Sequence, residues 1–134
     1  MPYAKNALDG TRIYFEVDGG SGAPVVLHGG FLDSVASVRG SDLAQALPDK
    51  FSLIYVDHRG LGRSDKPHDP DAYAMSLRAA DAVAVIDELD VERAHFIGMS
   101  WGAGSASASV STLLNACCRS SSAASSPTLG LTAL

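Results

Sequence analysis

Cysteine is scarce in this chain, and charge is almost absent from its last quarter. The only two cysteines, Cys117 and Cys118, are adjacent, so they lack the spacing of a zinc site or a redox pair, and the sequence predicts no metal and no structural disulfide. No uninterrupted apolar run approaches the roughly 18 residues of a membrane-spanning helix, and the opening MPYAKNALDG lacks the apolar core of a signal peptide. A cytoplasmic location without membrane association is expected. A net charge of −5 and the lack of a basic patch argue against a nucleic-acid partner.

The deficit of charge is local. Of 25 charged residues only Arg119 lies after Ser100, and the 34 residues from 101 to 134 hold nine serines and seven alanines but no Asp, Glu, Lys or His. The chain therefore divides into residues 1–104, composed like an ordinary soluble domain, and a Ser/Ala-rich tail over 105–134. At 134 residues there is room for one domain at most.

What is present in the first part alternates. RIYFEV at 12–17 has the polar and apolar alternation of a half-buried strand, followed by a Gly-Gly-Ser-Gly turn at 19–22. PVVLHGG at 24–30 and FSLIYVD at 51–57 are short continuous apolar runs that suit strands buried on both faces, and AHFIG at 94–98 is a third. Residues 31–40 read as loop and SDLAQAL at 41–47 as a short helix. HRGLGRSDKPHDPD at 58–71 is loop by its Gly, Pro and Asp content, with Asp71 the expected cap of a helix over 72–89. In that helix Ala82, Ile86 and Leu89 share a face, with Ala79 and Val83 beside it.

This order predicts an α/β fold, a mostly parallel sheet with flanking helices, in which reactive groups gather at the strand carboxyl ends. His28-Gly29-Gly30, Asp57-His58-Arg59 and Gly98-Met99-Ser100 all fall there. Gly98-Met99-Ser100-Trp101-Gly102 matches G-x-S-x-G, a serine on a strained turn whose crowded neighbours two residues away must be small.

Three segments in one order, the HGG loop, Asp57 to Ser64 as D-x-R-G-x-G-x-S, and the elbow, resemble the α/β-hydrolase family over about residues 8–104. The resemblance implies an incomplete α/β-hydrolase fold in which Ser100 is the nucleophile and the Trp101 backbone amide is one oxyanion donor. A second donor is expected from the loop after the HG pair: Phe31, with Gly30 the alternative. The D-x-R-G-x-G-x-S segment is expected to shape the adjoining loop. A serine rather than an aspartate at the elbow disfavours the dehalogenase and epoxide-hydrolase branches. It points to acyl chemistry on an ester, amide or related small-molecule carbonyl substrate, with no cofactor.

The other candidates read as structural. His28 at the HG turn is expected to pack and hydrogen-bond the loop, and His58 and His68 to face solvent or brace it. His95 starts the strand that carries Ser100 and lies roughly 16 Å from it along extended chain, too far for a base. Asp57 precedes Ser100, whereas the family order is serine, acid, histidine. Both partners are thus expected after Ser100, and neither is present there.

A change of reading frame near Ala103 or Gly104 accounts for both the missing partners and the tail. With legal codons chosen for residues 110–130, reading from the last base of the valine codon at 110 gives EHAPERVLSLVIGGQQPYAW, a helix end, a turn and a buried strand. The resemblance places an A-P-E-R-V-x-x-L-V type segment there. On that reading the complete form is a serine hydrolase and the 134-residue product is inactive. The alternatives are a non-catalytic binding scaffold, or half of a split hydrolase completed by another chain or by self-association.

Overall fold

The computed structural model describes residues 2–47, 49 and 51–100. Five strands form one sheet in the order β1-β2-β4-β3-β5, with β1 at Tyr3–Lys5, β2 at Arg12–Asp18, β3 at Pro24–His28, β4 at Ser52–Val56 and β5 at His95–Gly98. The tail over 105–134 and the elbow residues Trp101 and Gly102 lie outside the described residues.

The sheet is mixed rather than mostly parallel. β3 pairs in parallel with β4 and β5, while β2 runs antiparallel to β4 and to β1. The reason is connection length: only five residues separate β2 from β3, too few for the crossover that parallel strands require, so the chain reverses direction. The parallel strands β3, β4 and β5, with β5 at the edge of the described sheet, are linked in sequence by the long connections that parallel pairing needs.

Alternation along the strands divides the core in two. Ile13, Phe15, Val26, Ile54, Val56 and Phe96 pack on Ala82, Val85 and Ile86 of α3 (Met75–Glu88). On the opposite face Tyr14, Val25, Leu27 and Tyr55 meet Val35 and Val38 of α1 (Val35–Arg39) and Ala44 of α2 (Asp42–Ala46). Adjacent residues on β3 serve opposite faces, as the two-residue strand period demands.

Local structure departs from the sequence expectation in three places. The predicted helix over 72–89 is broken: a 3-10 turn at Pro70–Tyr73 precedes α3, and Ala74 between them is extended at ψ 143°. Asp69, not Asp71, caps this region, its side chain accepting from the Asp71 amide, and α3 itself begins without a side-chain cap. Residues 35–39, read as loop, form α1, opened by a reciprocal Ser34 and Ser37 capping box. β1 was not foreseen; three residues are too few for alternation to show.

Candidate active site

Because β3, β4 and β5 are parallel neighbours, the segments leaving their carboxyl ends emerge side by side. His28 at the end of β3 is in register with Val56 on β4 and with Gly98 on β5, and the Met99 amide donates to the His28 carbonyl at 3.1 Å. One residue further, Ser100 stands exposed with φ 50°, in the left-handed region that side-chain-bearing residues rarely adopt. This is the backbone conformation of a strained turn that lifts a hydroxyl off the sheet edge. A Cβ on Gly30 would lie 3.8 Å from Ser100 Cβ and 3.7 Å from the Met99 carbonyl, so the glycine loop packs against the serine.

The D-x-R-G-x-G-x-S segment binds that loop from below. Asp57 is buried, its Oδ1 accepting from the Val35 amide at 2.6 Å and its Oδ2 from the Arg63 amide at 2.8 Å. Gly62 has φ 52°, and any Cβ there would fall 2.1 Å from Asp57 Oδ2, so both the turn and the carboxylate require glycine. Ser64 Oγ donates to the Asp57 carbonyl and accepts from the Tyr14 amide, both at 2.8 Å, tying the loop to β2. Arg59 reaches under the sheet to Asp81 and Asp9. Burial alone would lower its pKa, but the hydrogen bonds to Asp81 and Asp9 prevail and raise it, so the guanidinium stays charged.

The histidines divide differently from the sequence reading. His28 is buried and packs, stacked on His58 with ring centroids 3.7 Å apart and edge-on to Phe96, but among the described residues it does not hydrogen-bond the loop and neither ring nitrogen has a partner. A residue on a continuous apolar strand points its ring into the α3 face of the core, away from loop carbonyls. His58 is equally buried rather than solvent-facing, and it does brace the loop, its Nε2 lying 2.7 Å from the Gly29 carbonyl oxygen. Burial lowers the pKa of His28 well below its ordinary value, with the charges of His58 and Arg78 adding to the effect. Burial also lowers that of His58, against the opposing Gly29 hydrogen bond. His68 and His95 are exposed, and His95 begins β5 at the end away from Ser100.

Among the described residues, the Ser100 hydroxyl has no hydrogen-bond partner and no histidine acts on it. Asp57 is fully engaged by backbone amides, as expected of a residue that shapes the loop. Of the two candidate second donors, the Gly30 amide donates to Asp33 Oδ2 at 2.7 Å. Asp33 went unnoticed in the sequence. Its one available signal was its place three residues after Gly30, the spacing of a turn in which a side chain accepts from the backbone.

A mixed αβ sheet with a strained serine turn at the carboxyl end of a parallel strand defines a class of hydrolase-like folds. A model of the α/β hydrolase fold matches residues 23–112, two thirds of the sequence, and the chain belongs to that family. It is 37% identical over 95 residues to bifunctional epoxide hydrolase 2 of Sus scrofa, covering 69% of this chain and 16% of that protein. To a proline iminopeptidase of Heyndrickxia coagulans it is 32% identical over 105 residues, covering 75% of this chain and 35% of the other. Among solved structures, Est816, described as an N-acyl homoserine lactone degrading enzyme, is similar with a TM-score of 0.66 and 37% identity, over 78% of this chain and 38% of that one. The chain thus spans between about a sixth and two fifths of the length of these relatives.

Proposed function

We propose that this chain is the nucleophile-bearing part of a serine-dependent hydrolase of ester, amide or lactone carbonyls. The observation that carries the reading is Ser100 held at φ 50° at the end of β5, against the Gly29-Gly30 loop. A hydroxyl raised on such a turn attacks a carbonyl carbon, and the oxygen that becomes negative needs amide donors nearby. On this reading the Trp101 amide is one donor and Phe31 the other, with Gly30, whose amide donates to Asp33, the alternative. The three relatives are described as an epoxide hydrolase, a proline iminopeptidase and an N-acyl homoserine lactone degrading enzyme; a serine at the elbow favours the carbonyl substrates among these.

The base that takes the serine proton and the acid that orients it belong, on this reading, after Ser100 in an alternative frame. No Asp, Glu or His lies between Ser100 and Leu134 in the present one. Hydrolysis of p-nitrophenyl butyrate tests both halves of the proposal. The 134-residue chain should give no more hydrolysis than its Ser100→Ala variant. The product with the frame restored after Gly104 should hydrolyse the ester, and Ser100→Ala should lower its kcat about 10³-fold or more. A frame-restored protein that keeps its rate as Ser100→Ala would overturn the proposal.

A further inference from the structure

The Gly29–Gly30 peptide unit is gripped at both ends. Its carbonyl oxygen lies 2.7 Å from His58 Nε2, and its N–H donates to Asp33 Oδ2, also at 2.7 Å. A carbonyl oxygen only accepts, so His58 must carry its proton on Nε2. The two grips come from different parts of the chain, His58 from the segment after β4 and Asp33 from the turn leading into α1.

A peptide between two glycines has no Cβ on either side to favour one plane over the flipped one. Its orientation must therefore be set by partners, and these two supply it. His58 is itself immobilised by burial and by its stack on His28, and Asp33 is fixed further by the Ser37 hydroxyl, which donates to its Oδ1 at 3.2 Å. Asp33 also packs so closely that a Cβ on Gly29 would lie 2.6 Å from Asp33 Cβ, so the clamp and the glycine require one another.

We propose that His58 and Asp33 are positioning residues that lock the Gly29–Gly30 peptide plane and thereby fix where the Gly30 N–H points in the loop that packs against Ser100. Resting on the hydrolase reading for its catalytic meaning, the lock holds the Gly30 N–H on Asp33 and away from a developing oxyanion. Flipping this peptide would release it. Neither residue touches substrate; both act through the backbone of the loop.

Amide hydrogen exchange on the uniformly ¹⁵N-labelled chain reads the lock directly. Replacing the donor by His58→Leu, or the acceptor by Asp33→Ala, should raise exchange at Gly30 tenfold or more while Val26 and Ile54 in the core keep their protection. His58→Gln and Asp33→Asn, which preserve a donor and an acceptor, should restore at least half of the lost protection on a logarithmic scale. Unchanged Gly30 exchange in the two disruptive variants, or a rise that Val26 and Ile54 share equally, would overturn the proposal. The readout is independent of hydrolysis. A hydrolase that loses activity as Ser100→Ala but shows no Gly30 effect sinks the clamp alone, and the converse result sinks the hydrolase reading alone.

Discussion

Arg59 and Asp81 meet in two parallel hydrogen bonds, Nε to Oδ2 at 2.7 Å and a terminal nitrogen to Oδ1 at 2.6 Å, with both side chains almost wholly withdrawn from water. The pair joins the D-x-R-G-x-G-x-S loop to α3, and Asn6 completes it by donating to Asp81 Oδ1 at 2.7 Å. Removing Asp81 leaves a buried guanidinium with only the partly exposed Asp9 as an anionic partner among the described residues. Asp81→Ala should cost about 3–5 kcal/mol in a urea melt, while the double change Arg59→Met with Asp81→Leu should recover most of it, because a packed apolar pair has no charge to desolvate. A cost below about 1 kcal/mol for Asp81→Ala would show that the pair contributes little.

Gly62→Ala should be among the most damaging small substitutions. It places a side chain at φ 52° and within 2.1 Å of the Asp57 carboxylate, so strain and collision add, for an expected loss of about 2–4 kcal/mol. Gly10→Ala is the control: φ is 78°, but the nearest atom is the flexible Lys5 Cε at 3.4 Å, and the loss should be about 1–2 kcal/mol. Thermal melts of the two variants should rank them in that order.

Strain at Ser100 makes a prediction of the opposite sign. Glycine adopts φ 50° without penalty, so Ser100→Gly should raise stability by about 0.5–1 kcal/mol after the entropy of a freer unfolded chain is subtracted. Ser100→Ala keeps the strained backbone and should leave stability within about 0.5 kcal/mol of the parent. If both variants shift the melting midpoint equally, the serine backbone is not strained.

The buried histidines set a pH dependence. Burial, the first cause for both His28 and His58, lowers their folded-state pKa values, so the unfolded chain binds more protons below the ordinary histidine value of 6.5. Their contribution is fully present above that value and is lost as pH falls below it, with a slope of about 1.4 kcal/mol per pH unit for each proton taken up on unfolding. Urea melts at pH 7.5 and 5.0 should show the loss, and His28→Phe should reduce the slope. An equal slope in His28→Phe would place the proton uptake elsewhere.

Much of this was legible in the sequence where burial is continuous. Val25 to Leu27 and Leu53 to Val56 are apolar on both faces, which marks them as inner strands, and the glycines around Met99 and Ser100 marked the turn. Tyr3–Lys5 and Val35–Arg39 were not legible, since three residues show no alternation and five show little more than one helical turn. The site's second layer was hidden for a different reason. Nothing in the order of residues brings His58 onto the Gly29 carbonyl or Asp33 onto the Gly30 amide; those contacts exist only once β3 and β4 lie side by side. His58 reads as a polar loop residue until the packing of β4 against β3 buries it.

Sequencing the gene across codons 95 to 140 and past its stop most directly tests the proposal that Ser100 is a nucleophile whose partners are encoded in another frame. The account predicts an inserted or missing base near codon 103, with an open frame continuing to an aspartate or glutamate and then a histidine. A confirmed frame with no such continuation would contradict it, leaving Ser100 without an encoded base and the scaffold or split-hydrolase readings in its place.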